Sequence, residues 1–267
     1  MIAVPDDNLP PTVPPLPHIS PHARGLSASA ALGWLGAGWR DLWDNPGGSL
    51  TYGVVMLLIS WLMVAGLVGI GRDYFLFPAL SGFAIVAPAF ATGLYEKSRR
   101  RGIGERIGIG AMLRVRAASG RQILFVGVLL CLLMLLWMRA AVLLYALFYG
   151  WQPFPGLDHV AAMLVTDPLG WTLLLVGGTV GGLFAAFAFA ISVFSLPMLL
   201  AERLDALTAM GTSMVMVWNN LPLMLTWGAI VLALLILGLL PGLLGLVLVF
   251  PVLGHATWHA YREMRCR

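Results

Sequence analysis

Residues 206–261 read ALTAMGTSMVMVWNN LPLMLTWGAIVLALLILGLL PG LLGLVLVFPVLGHATWHAY, a run without one Asp, Glu, Lys or Arg. A membrane helix needs about 20 apolar residues, so this run is too long for one span. Pro241-Gly242 supplies the break, because proline removes a helical donor and glycine tolerates a turn. The run therefore predicts two spans, 221–239 and 243–258, joined as a hairpin.

The other uncharged stretches extend the pattern. They predict spans at 50–71, 75–95, 122–148 and 171–200. Arg72-Asp73 leaves so short a connection that the first two also form a hairpin. The fold class that follows is an all-α membrane protein with six transmembrane helices in three hairpins. Composition agrees: 60% of the 267 residues are hydrophobic and 10% are charged, with a mean hydropathy of +0.89. Soluble domains carry about 25% charged residues. A soluble enzyme and a nucleic-acid-binding domain are excluded on this ground.

Charge placement sets the expected orientation. Fourteen of the sixteen cations fall on one side of a six-span chain: Arg24, Arg40, Lys97, Arg99, Arg100, Arg101, Arg106, Arg114, Arg116, Arg121, Arg203, Arg262, Arg265 and Arg267. Arg72 lies on the other side, and residues 150–167 there hold no cation. Cations concentrate in cytoplasmic loops, so both termini are expected in the cytoplasm of a bacterial inner-membrane protein. Trp137, Tyr145, Tyr149 and Trp151 mark the outer boundary of the third span.

Residues 1–26 form a separate region. Seven prolines lie between Pro5 and Pro21, which predicts a disordered cytoplasmic tail rather than a signal peptide. The transmembrane domain is expected over 27–262, with a short basic tail at 263–267. Cys131 and Cys266 give no disulfide framework and read as unpaired thiols.

A surface helix is expected on the cytoplasmic side before each hairpin. Leu32, Leu35, Trp39, Leu42 and Trp43 share one helical face, with Arg40, Asp41 and Asp44 off it. Leu204, Leu207, Met214 and Trp218 share another, opposite Asp205 and Ser213. Residues 111–119 form a weaker third case. The reading is three parallel units, each an interfacial helix followed by a hairpin.

Candidate sites are few. Gly177, Gly178, Gly181 and Gly182 are predicted to make a helix-packing seam, since small residues permit close approach. Arg139, a further candidate for binding an anion or partner, lies in an apolar segment, either near the outer interface, where it can snorkel or pair with Asp158 or Asp167, or deep enough to need a buried partner. His255, His259 and Arg262 share a helical face, and that donor set suits an anion or an acidic partner. Two histidines are too few for a closed metal site, so no metal is favoured; the alternative uses His255 and His259 as metal or haem ligands. Gly102 to Gly110 is glycine-rich but follows an Arg cluster, not a strand, and reads as a loop. No catalytic constellation is legible, and no cofactor is expected.

Trp39-Arg40-Asp41-Leu42, the stretch 77–95 with Pro78, Gly82, Pro88 and Gly93, Trp137-Met138-Arg139, and Gly254 to Arg262 together carry a resemblance. The chain resembles the bacterial integral membrane proteins grouped as domain of unknown function 2189, over about residues 35–265, with the histidine segment its most specific part. The resemblance implies location and architecture, without an activity. The layout is also loosely similar to the membrane domain of some glycerophosphodiester phosphodiesterases, whose catalytic domain has no counterpart here. The function expected is a non-enzymatic scaffold, assembly factor or accessory subunit. The alternatives are a small-molecule or ion transporter and a metal- or haem-binding redox protein. Expected partners are the bilayer, its anionic headgroups, and a membrane protein or second copy; nucleic acid is not one.

Overall fold

The computed structural model describes residues 20–150 and 156–265. Most of the proline-rich tail, Trp151, Cys266 and Arg267 lie outside the described residues. All regular structure within them is helical. In chain order the elements are α1 (Ala30–Asp44), α2 (Pro46–Gly69), a 3-10 turn (Asp73–Phe75), α3 (Leu76–Phe90), α4 (Thr92–Arg101), α5 (Ile109–Leu113) and α6 (Gly120–Tyr149). They continue with α7 (Leu157–Thr166), α8 (Pro168–Ser192), α9 (Ser195–Ala201), α10 (Ala206–Asn219), α11 (Leu221–Leu239) and α12 (Leu246–Arg265).

Five segments are long and apolar enough to cross a membrane: Pro46–Gly69, Asp73–Phe90, Gly120–Tyr149, Pro168–Ala201 and Leu221–Leu239. They match five of the six expected spans to within a few residues at most ends. The second stops early, at Phe90. The backbone bends at Ala91, one turn after Pro88, and resumes as α4. The fourth breaks at Val193-Phe194, and α9 then runs with most of its residues buried. Much of the expected 30-residue span is thus taken into the protein instead of projecting from it.

The sixth expected span, 243–258, takes a different form. The chain turns through 240–245, with Gly242 and Leu243 at positive φ, before α12 starts at Leu246. Twelve residues of α12 are buried, from Leu246 to Met264. This helix packs on α1, α2, α4, α9 and α11. It is the core of one half of the molecule, while α3, α6 and α8 pack on one another in the other half.

Close approach to α12 depends on glycine, though not on the glycines expected. A Cβ on Gly53 of α2 would lie 2.3 Å from the Val247 carbonyl oxygen. One on Gly38 of α1 would lie 2.6 Å from the Val252 carbonyl oxygen. Both clash with backbone, which cannot rotate away. The predicted seam on α8 is corrected: Gly177, Gly178 and Gly182 have nothing within 4 Å of a built Cβ. Gly181 alone meets a neighbour, the Trp137 ring of α6 at 2.7 Å.

The two long surface helices exist, with their faces rotated from the expectation. In α1 the buried side is Ala31, Trp34, Gly38, Asp41 and Leu42, while Leu32, Trp39 and Trp43 are exposed. In α10 the buried side is Ala206, Ala209, Ser213, Met216 and Val217, while Leu207, Met214 and Trp218 are exposed. Asp41 and Ser213 were read onto the polar sides; both sit in the protein. Each buried side mixes small residues with a few large ones, Trp34 and Leu42 in α1 and Met216 and Val217 in α10, while the other bulky apolar side chains stay outward. The middle unit has only the five-residue α5, because Arg114 leaves helical geometry.

Candidate functional site

Four helices bring a buried polar cluster together at the end of the bundle where Arg24 meets Met264 and Arg265. Asp41 comes from α1, Ser49 from α2, Lys97 and Ser98 from α4, and His255 from α12, and all five are buried. The α1–α2 corner at Asn45 and the packing of α12 across α1, α2 and α4 bring these residues together.

The contacts form a chain. Lys97 Nζ donates to the Asn45 carbonyl at 2.5 Å and to Ser49 Oγ at 2.6 Å. Ser49 Oγ lies 2.8 Å from His255 Nε2, and Ser98 Oγ lies 2.8 Å from His255 Nδ1. Ser98 donates to Asp41 Oδ2 at 2.5 Å. His259 Nε2 reaches the same oxygen at 2.9 Å, and Arg101 pairs with Asp41 Oδ1.

Hydrogen counting orients the chain. Ser98 has one hydroxyl proton and gives it to Asp41, so it accepts from His255 Nδ1–H. Nε2 of a neutral imidazole is then an acceptor, and Ser49 donates to it. Ser49 in turn accepts from Lys97. This assignment of the tautomer gives the hydroxyl hydrogens of Ser49 and Ser98 and the His255 N–H one acceptor each.

The electrostatics follow from burial and pairing. Burial pushes Lys97 down to about 8, although Asp41 and Asp44 partly oppose it. Burial would raise Asp41, but hydrogen bonds from His259 and Ser98 outweigh that and hold it below the usual carboxylate range. Glu96 is likewise held low: its burial is outweighed by Arg99 at 2.6 Å and Arg100 at 2.7 Å. Two further clasps join the chain ends. Arg24 donates to the Met264 and Arg265 carbonyls, and Trp34 Nε1 donates to Glu263 at 2.7 Å. Glu202 receives Tyr261 at 2.7 Å and Arg265 at 2.9 Å.

This geometry reassigns the predicted histidine face. His255 is fully buried and both its ring nitrogens are engaged by serines. It therefore offers no nitrogen to an outside anion, and a metal would have to displace Ser49 or Ser98. His259 is part-buried and turned to Asp41, while Arg262 is exposed near Gly102. The three share a helix face in register but not a common surface site.

Arg139 is placed by its neighbour. Trp137 Nε1 donates to the Pro78 carbonyl at 3.1 Å and to Ser81 Oγ at 3.0 Å, in the first turns of α3. Arg139, two residues on, therefore lies near the start of α3 and is exposed. The expected pairing with Asp167 does not form: that carboxylate takes Tyr149 and caps Leu169.

The sequence reading missed Asp41, Ser49, Lys97 and Ser98. Two signals point to them. Lys97 is the only lysine in an arginine-rich chain. Asp41 falls seven residues after Trp34, on the same helical side as Gly38.

No curated protein and no solved structure matches the chain. The family match is narrower than the 35–265 expected, and the histidine segment falls outside it. Residues 76–201, which carry α3 through α9, match the family model described as predicted integral membrane protein (DUF2189).

Proposed function

We propose that the chain is a six-span bacterial inner-membrane protein with both termini in the cytoplasm, acting as a non-enzymatic scaffold, assembly factor or accessory subunit. The observation that carries the topology is the clasp between chain ends. Arg24 binds the carbonyls of Met264 and Arg265, and Trp34 binds Glu263. Both ends then lie on one side, so the number of crossings is even. Five segments qualify by length; α12 with its preceding turn makes the sixth. The cation asymmetry assigns that shared side to the cytoplasm.

In this orientation α1 and α10 lie on the cytoplasmic leaflet. Leu32, Trp39 and Trp43 repeat the spacing of Leu207, Met214 and Trp218, and both sets are exposed. Tryptophan favours the headgroup region, and the exposed arginines around these helices attract anionic lipid. A scaffold role is supported by the polar cluster being closed on itself. Two surface cavities flank this end of the molecule, one beside α10 and one at the start of α6.

Reporter fusions test the topology. Fusions at the N-terminus and the C-terminus are expected to report the same side, and a fusion at Gly156 the opposite one. N- and C-terminal reporters on opposite sides would overturn the six-span reading. The scaffold role predicts a membrane-protein partner that co-purifies in fixed stoichiometry; solute flux into proteoliposomes would instead favour the transporter alternative.

A further inference from the structure

We propose that the cavity between the start of α6 and the segment 203–205 is a binding site for the phosphodiester of an anionic phospholipid of the cytoplasmic leaflet. This rests on the membrane orientation proposed above and adds a specific ligand site to it.

The cavity, about 510 Å³ in volume, is walled by two separate segments, 118–122 and 203–205. Three hydrogen bonds fix them together. Ser119 Oγ donates to the Glu202 carbonyl at 3.1 Å and accepts from the Leu204 amide at 3.0 Å. Gln122 Oε1 accepts from the Ala206 amide at 3.1 Å. The backbone adds Ser119 N to Leu199 O at 3.0 Å and Ala118 N to Leu200 O at 3.1 Å. The walls are thus preorganised, although they are distant in sequence.

The result is that Arg121 and Arg203 line one cavity from opposite segments. Both are exposed, and among the described residues neither has an ion-pair or hydrogen-bond partner. Asp205 is the one carboxylate in the wall, and one of its oxygens is engaged: its side chain accepts from the Thr208 amide at 2.9 Å and caps α10. Two arginines therefore line the cavity beside a single carboxylate that pairs with neither. Each presents a planar fork of donors suited to phosphate oxygens.

The apolar surroundings favour a lipid over a free anion. Leu124 and Phe125 are exposed on α6, one turn into the predicted span. Leu207 is exposed in the first turn of α10, directly after the wall residue Asp205. A phosphate held between the arginines would have its acyl chains against α6 and its glycerol backbone level with α10. A free phosphate would gain only the charged part of this surface.

The test uses the full-length protein, with membrane insertion verified by the reporter fusions, so that a failed topology and a failed site give different results. Native mass spectrometry would follow retention of phosphatidylglycerol and of phosphatidylcholine. The Arg121→Gln/Arg203→Gln variant is expected to lose phosphatidylglycerol affinity at least tenfold. Arg114→Gln/Arg116→Gln, which removes the same charge from the segment leading to Arg121, is expected to retain it. All four arginines are exposed, so folding is not at risk, and thermal melting of both variants checks this. Equal loss in both variants would overturn the site in favour of a diffuse cationic surface. Displacement of phosphatidylglycerol by millimolar inorganic phosphate would overturn the lipid assignment in favour of a free-anion site.

Discussion

Lys97 is a buried ammonium whose charge must be held by one carbonyl, one hydroxyl and two nearby carboxylates. Its proton affinity falls to about 8 in the folded chain, against 10.5 for an ordinary lysine. Between those values the unfolded chain binds the extra proton, so stability rises with pH across that window. One pKa unit corresponds to about 1.4 kcal/mol, which gives a gain of up to about 3 kcal/mol from pH 8 to 10.5. Thermal melting across that range checks it; Lys97→Met should abolish the slope. Asp41 works in the other direction. It carries the charge that Ser98, His259 and Arg101 converge on, so Asp41→Ala leaves the buried Ser98 hydroxyl without its acceptor. Leaving one buried donor unsatisfied costs about 1–3 kcal/mol. A melting temperature within a degree of wild type would show that water replaces the carboxylate.

At the scale of elements, backbone contact decides which glycines matter. Gly53→Leu must push α2 off α12, because the clash is with the Val247 carbonyl and not with a movable side chain. Gly178→Leu meets open space on α8. The first variant is expected to lose folded protein on size-exclusion chromatography, and the second to elute as wild type. Gly181→Leu falls between them, since the Trp137 ring can shift. The surface helices have a separate test. In a chain with Cys131 and Cys266 replaced, spin labels at Leu32→Cys and Leu207→Cys should collide more with oxygen than with a nickel chelate. That is the pattern of a residue in lipid. The reverse preference would place the exposed faces of α1 and α10 in water.

At the scale of the whole molecule, α12 connects what the sequence separates. It packs on α1 and α2 from the start of the chain and on α11 beside it, and it supplies His255 to the polar cluster. A chain ended at Gly245 would leave Asp41, Ser49 and Lys97 facing a gap. That truncation is expected to abolish folded protein, measured by detergent-solubilised yield and protease resistance, whereas ending at Arg265 should change neither.

The sequence alone determined where five segments long and apolar enough to cross a membrane lie, because a run of about 20 uncharged residues has few other places to go. It also located the helices α1 and α10 and the break at Pro241-Gly242, which depend on local pattern and backbone chemistry. Tertiary structure decided which face of each helix turns inward. A hydrophobic pattern identifies an apolar face, but in a membrane that face has two apolar destinations, lipid and protein. Leu32, Trp39 and Trp43 went outward for this reason, while Trp34 and Leu42 went inward with the small residues and Asp41. The polar cluster was illegible for a related reason. Its residues stand 206 positions apart from Ser49 to His255, and no local spacing encodes a contact that exists only once α12 lies across α1, α2 and α4.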